Sequence, residues 1–177
     1  MNGIFITTEL EGSVAARIRA VQERHDPKLA RELPPHLTLV GSSGTGSISP
    51  DTPVAELRKA VEPVARAARP LTLTFRAPLR FIGREIVVLP LDPHGELRGL
   101  HDALQGALRA AGIRYETARW PFTPHCTLNF YATVTPESLR VLLAVSEPEP
   151  WVMHTLLVYH TRDGVPPKRL FSARLGV

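Results

Sequence analysis

A single cysteine, Cys126, stands in the whole chain, which excludes an intramolecular disulfide framework and a multi-cysteine zinc site and points to a reducing compartment, the cytoplasm. Long apolar runs are absent as well. None approaches the roughly 20 residues that a membrane span needs, and the opening MNGIFITTELEG lacks the basic stretch and apolar core of a secretory leader. A soluble, unprocessed chain is expected. Lysine is scarce, three residues of the 21 that are basic, so the net charge of +4 and the pI near 9.7 rest on arginine. Clustered cations attract phosphate and release its counterions on binding, which suits a nucleic-acid partner. The surplus of Ala, Arg, Pro and Leu follows equally from a GC-rich genome, so the charge by itself names no substrate.

With 177 residues, 44% of them apolar, the chain can bury a continuous core, and one domain of two lobes, acting as a monomer, is expected. Gly3 to Thr7 reads as a strand and Gly12 to Arg24 as a helix, with Val14, Ile18 and Val21 on one stripe and Pro27 as its stop. After a polar connection, His36 to Val40 alternates as a strand, the Gly- and Ser-rich stretch 41–50 predicts a loop, and Gly41 to Gly46 within it a mobile loop at the edge of a cleft. A helix over 53–67, capped by Asp51 or Thr52, precedes a strand at Leu71 to Phe75 that Leu79 to Ile82 extends, and Gly83 turns the chain into a strand at Ile86 to Leu91. Leu97, Leu100, Leu104 and Leu108 mark a helix ending at Gly112. A strand at His125 to Ala132, a helix at Pro136 to Val145 capped by Thr135, and a closing hairpin of Trp151 to His160 with Leu170 to Leu175 complete the chain. The halves, about 1–85 and 86–177, read as distant copies, and the mixed order with hairpins predicts an α+β fold with antiparallel pairing.

PHLTL at Pro35 to Leu39 returns as PHCTL at Pro124 to Leu128. On a strand, residues i and i+2 share a face about 6 to 7 Å apart, so His36 sits with Thr38 and His125 with Thr127, while Leu37, Leu39, Cys126 and Leu128 turn to the core. If the halves pack about a pseudo-twofold axis, two imidazoles flank one reacting centre. Cleaving a phosphodiester needs a base for the incoming oxygen and an acid for the leaving one. An imidazole with an ordinary pKa near 6.5 serves as either. The threonine hydroxyls can hold the non-bridging oxygens. This scheme demands no metal or other cofactor, and no carboxylate or cysteine at ligand spacing joins the two histidines.

The doubled motif resembles the HxTx signatures of the 2H phosphoesterase superfamily, in particular its 2′,5′ RNA ligase and RNA 2′,3′-cyclic phosphodiesterase branch. The strand and helix at the N-terminus, the LRFIGREIVVLPLD segment with its leucine-rich helix, and the late LLVYHTRDG stretch extend the resemblance over essentially the whole chain. It implies a bilobal pseudo-twofold fold, two antiparallel sheets flanked by helices around a central cleft. It also implies His36 as proton donor to the leaving ribose 3′ oxygen, His125 as proton acceptor from water, and Thr38 and Thr127 as phosphate-binding residues. The implied substrate is an RNA 2′,3′-cyclic phosphate end or a cyclic nucleotide, the product a 2′-phosphate, and the reverse chemistry 2′,5′ ligation. Two departures stand out. Many members continue the second motif with an arginine where this chain reads Asn129 and Phe130, and Arg169 occupies a region where a tyrosine often precedes the last strand.

Arg76 and Arg119 are candidates to supply the missing cation. Trp120 and Phe122, with Tyr115, could stack on a base or pack the lobes together. His94 and His101 have no ligand pattern and read as surface residues. Two other functions remain open: an RNA-binding module without significant catalysis, and a hydrolase of a small non-RNA cyclic phosphate.

Overall fold

The computed structural model describes residues 2–177. Strand β1 (Gly3–Glu9) leads through helices α1 (Gly12–His25) and α2 (Pro27–Glu32) to β2 (His36–Val40). Helix α3 (Val54–Ala67) is followed by β3 (Leu71–Leu73), β4 (Leu79–Arg80) and β5 (Val87–Pro90). Helix α4 (Gly95–Ala110), β6 (His125–Asn129), α5 (Pro136–Leu143), β7 (Trp151–Met153), β8 (Thr155–Arg162) and β9 (Val165–Arg174) complete the order. No helix among the described residues is long and apolar enough to cross a membrane.

The fold is α+β, with antiparallel pairing throughout. The sheets are a four-stranded one ordered β2-β1-β8-β9, a three-stranded one ordered β4-β5-β6, and a separate β3-β7 pair. The third sheet departs from the expected two. Leu71–Leu73 does not continue into Leu79–Arg80 but pairs with Trp151–Met153, which in turn leaves the closing hairpin to β8 and β9. The four-stranded sheet draws two strands from each side of residue 85, so the sheets do not follow the halves of the sequence. Between them lies one core that takes Ile4, Ile6, Leu37 and Leu39 from the first motif's sheet and Leu89, Cys126 and Leu128 from the second's.

Three local readings are corrected. Pro27 stops α1 but also starts α2, because a proline at the first helical turn gives up an N–H that has no partner there anyway, and Asp26 caps that turn by accepting from Leu29 N at 3.1 Å. Neither Asp51 nor Thr52 caps α3; its N-cap is Pro53, without a side-chain bond, and Thr52 Oγ1 donates back to Ser49 O instead. Gly41 to Gly46, expected as a mobile loop, instead begins a tied crossing. Gly44 N donates to Trp120 O, Gly46 N to Glu116 O and Ser49 N to Arg114 O, while Ser43 Oγ accepts from Thr123 N at 2.8 Å. Gly44, at φ +74, passes so close to the His101 ring that a Cβ would fall 2.5 Å from Nε2.

His101 is therefore a fourth correction: it is buried, not on the surface. Its Nδ1–H donates to Leu39 O at 2.7 Å, and its ring stacks on Phe122 with centroids 4.0 Å apart. Helix α4 is thereby fastened to the strand that carries the first motif.

Candidate active site

The two motif strands are built alike down to their irregularities. Each has the same burial sequence, half-buried His and Thr alternating with fully buried neighbours. Opposite Ile6 and Thr7, strand β2 spends Val40, Leu39 and Thr38; opposite Val87 and Val88, strand β6 spends Asn129, Leu128 and Thr127. One extra residue bulges at the same motif position in both, and such bulges re-aim neighbouring side chains. The proline ahead of each histidine offers its carbonyl to a corresponding strand end, Leu10 N to Pro35 O and Leu91 N to Pro124 O, both 2.9 Å. The carbonyl one residue further back takes the imidazole. His36 Nδ1 donates to Pro34 O at 2.9 Å and His125 Nδ1 to Thr123 O at 2.7 Å.

That hydrogen bond settles the tautomer. A carbonyl can only accept, so Nδ1 bears the proton in both rings and Nε2 is the nitrogen left for chemistry. His36, Thr38, His125 and Thr127 all line one cleft of about 780 Å³. Both motif strands are sheet edges, and the edges meet: the Cys126 thiol bonds to the His36 backbone. Burial pushes that thiol up to about 12, so it is a core group rather than a nucleophile. Helix α1 crosses from the first motif's side to the second's, and Gln22 Nε2 donates to Thr127 O at 2.8 Å.

Burial lowers the pKa of His36, partly offset by the Pro34 carbonyl and by the charge of Glu9, its cross-strand neighbour. Burial likewise lowers that of His125; the Thr123 carbonyl opposes the shift and the charge of His36 adds to it. The edge of one ring of the Phe81–His125 pair meets the face of the other at 5.2 Å. Buried His101 is lowered too, by desolvation first. When the native pKa lies below the ordinary 6.5, the unfolded chain takes up the proton first. Stability from these three rings is thus complete above about pH 6.5 and is lost as pH falls from there toward the native values. Thermal unfolding at pH 7.5 and 5.5 should show a lower midpoint in acid, and inorganic phosphate should recover part of it by favouring the imidazolium in the cleft. A midpoint indifferent to pH across this interval would mean that the rings are solvated.

The weaker candidates scatter. Arg76 pairs with Asp92 at 3.0 Å and lines a different hollow. Arg119 and Trp120 are exposed and do not line the cleft, and Phe122 is buried against His101, so the packing alternative holds for it. Sequence reasoning missed other groups that line the cleft of the two histidines. Arg31, at the end of α2, and Arg162, at the end of β8, stand exposed on the cleft wall, as do Phe130 and Tyr131. Tyr159 donates its hydroxyl to Glu9 at 2.7 Å, and Asn129 is buried, spanning Glu85 O and Ala132 O at 2.8 Å each. Asp26 accepts from Phe130 N and Tyr131 N at 2.7 Å each. The Asp-Pro dipeptide ahead of Leu29 was the one sequence signal for that capping carboxylate.

The sequence profile of the 2′-5′ RNA ligase superfamily matches residues 10–164. No curated protein matches the chain. Among solved structures, E. coli LigT complexed with 3′-AMP superposes with a TM-score of 0.67 at 19% identity, covering 99% of each chain. LigT complexed with phosphate gives 0.60 at 19%, over 99% of this chain and 98% of that one. The protein TT0787 of Thermus thermophilus gives 0.69 at 18%, with the same coverage. At such identities the shared property is the fold.

Proposed function

Because the chain belongs to the 2′-5′ RNA ligase superfamily, a group of 2H phosphoesterases, we propose that it hydrolyses 2′,3′-cyclic phosphates, at RNA ends or on cyclic nucleotides, to 2′-phosphates without a metal. The observation that carries this reading is the pair of Nδ1-anchored imidazoles, each presenting Nε2 to one cleft. Their charged neighbours differ in sign. Glu9 favours the protonated form of His36, and the resulting charge disfavours protonation of His125. His36 is accordingly the acid and His125 the base.

In the forward step His125 Nε2 takes a proton from water, the water oxygen bonds to phosphorus, the bond from phosphorus to the 3′ oxygen breaks, and His36 Nε2–H protonates that oxygen. A ribose 5′-hydroxyl in place of water gives a 2′,5′ linkage by the same proton transfers. Thr38 and Thr127 donate to the non-bridging oxygens, whose charge grows in the transition state. Before binding, burial keeps both rings largely neutral; a phosphate anion entering the cleft favours the proton on His36. Arg31 and Arg162 on the wall suit the further phosphates of an RNA strand. That E. coli LigT, which shares this fold, is found in complex with 3′-AMP and with phosphate supports a nucleotide phosphate as the ligand.

Incubation with adenosine 2′,3′-cyclic phosphate in the presence of EDTA should yield adenosine 2′-phosphate, with a bell-shaped dependence of kcat/KM on pH. A 3′-phosphate product would reverse the assignment of the leaving oxygen. Activity abolished by EDTA and restored by a divalent cation would overturn the metal-free scheme.

A further inference from the structure

We propose that Glu9, braced by Tyr159, is the positioning residue that makes two equivalent histidines unequal, keeping a proton on His36 and leaving His125 to accept one. This inference rests on the cyclic phosphodiesterase reading and deepens it by naming what divides the roles. The two motif strands repeat each other in register as well as in sequence. Thr38 stands opposite Thr7 and Thr127 opposite Val88, while Leu37 stands opposite Thr8 and Cys126 opposite Leu89. Both rings have a carbonyl on Nδ1 and the same half-buried place in their strands. Such a frame by itself gives neither ring a greater claim to the proton. The repeat fails at one point: the cross-strand partner of His36 is Glu9, whereas that of His125 is Pro90, which bears no charge.

Glu9, His36 and Tyr159 all line the cleft, from the adjacent strands β1, β2 and β8. Side chains directly opposed on antiparallel strands stand about 4.5 to 5.5 Å apart at Cβ, near enough for a carboxylate to favour an imidazolium where water is partly excluded. Glu9 is the last residue of β1, a place where a side chain has room to swing away. Tyr159 prevents that, its hydroxyl donating to Glu9 Oε1 at 2.7 Å from the strand on the far side of β1. Burial first, and then the bond to Glu9, push this hydroxyl up to about 12, so it keeps its proton and serves as a donor at neutral pH. The other charged groups on the cleft wall are Arg31 and Glu32 of α2 and Arg162 and Asp163 at the end of β8, two of each sign, with His125 of β6 across from His36. His101 of α4, behind β2, is engaged with Leu39 O. Among these charges Glu9 is the one that favours protonation of His36, and the charge of His36 in turn disfavours that of His125.

The imidazole ring protons of the full chain are titrated by NMR without substrate, His36→Ala and His125→Ala assigning the two signals and thermal unfolding checking the fold. In the native chain His36 should titrate above His125. Glu9→Gln keeps the shape and removes the charge, so the gap between the two midpoints should narrow; Glu9→Asp, which keeps the charge, should restore part of it. Tyr159→Phe should narrow the gap by less, and a native gap there removes the brace. On adenosine 2′,3′-cyclic phosphate, kcat/KM of Glu9→Gln should fall about 2- to 5-fold on the basic side of the pH profile, where His36 must still hold its proton, and stay near native on the acidic side. A gap unchanged in Glu9→Gln, or a loss of activity uniform across pH, overturns the assignment; the uniform loss is what a structural role would give. A gap that depends on Glu9 in a chain turning over no cyclic phosphate would keep the unequal pair and remove the hydrolase. Turnover without such a gap would keep the hydrolase and remove the role of Glu9.

Discussion

Alanine at His36 or at His125 is expected to lower kcat on a 2′,3′-cyclic nucleotide by about 10²- to 10⁴-fold, the range that a positioned acid or base contributes. The double variant should be little worse than the poorer single one, because a base without its acid, or the reverse, no longer completes the displacement, and such groups act as a unit. The fold should survive. Each ring makes one hydrogen bond from Nδ1, to Pro34 O or Thr123 O, on a half-buried strand face, while the core beneath depends on Leu37, Leu39, Cys126 and Leu128, which the substitutions leave in place. Steady-state kinetics beside thermal unfolding separates the two effects. Full activity in either single variant would sink the two-histidine mechanism. An RNA-binding module would behave differently: its affinity would fall steeply with salt, stay unaltered in the double variant, and accompany no turnover of any cyclic phosphate by the native chain.

The same strand arithmetic that places these histidines explains why they were readable in the sequence and why their surroundings were not. His36 and Thr38, and His125 and Thr127, follow from a period of two within five residues, and helices α3, α4 and α5 from apolar spacing with proline or glycine at their ends. His101 was legible too. It lies four residues after Leu97 and three before Leu104, on the buried stripe of α4, and a polar residue on such a stripe implies a buried partner, which Leu39 O supplies. The partners of β3 and the aromatics of the cleft belong to another kind of information. Leu71–Leu73 pairs with a strand some 80 residues on, and the seat of Phe130 is set by a carboxylate 104 positions earlier. No local period reports a contact of that separation. The doubled motif pointed to the two histidines, whereas the other residues of the cleft wall, Phe130, Tyr131, Arg31 and Arg162, are brought together only by the fold.

Asp26 joins these two levels, and replacing it should give the largest loss of stability of any single polar change at the site, about 3 kcal/mol for Asp26→Ala, or a midpoint lower by roughly 6 to 12 °C. The carboxylate is 1% exposed. Oδ1 caps α2 through Leu29 N, and Oδ2 gathers Phe130 N and Tyr131 N at 2.7 Å and Ala132 N at 3.4 Å. Burial alone would raise its pKa, but the four N–H groups outweigh that and hold it below the ordinary carboxylate value of 3.8. The stability it supplies is therefore complete above about pH 4 and is lost as pH falls through the lowered native value, a limb separate from that of the histidines at higher pH. Removing the side chain strands donors that point inward, at about 1 to 3 kcal/mol for each that water cannot reach. Asparagine should do scarcely better despite its matching shape, since an amide has one acceptor oxygen, and turning that oxygen toward α2 aims its N–H₂ at the N–H groups of the turn. Because the same carboxylate fixes Phe130, the Asn variant at a temperature where it is folded should also show a raised KM for a cyclic nucleotide with kcat nearly kept. If Asp26→Asn unfolds at the native midpoint with the native KM, the carboxylate neither braces the turn nor shapes the cleft wall.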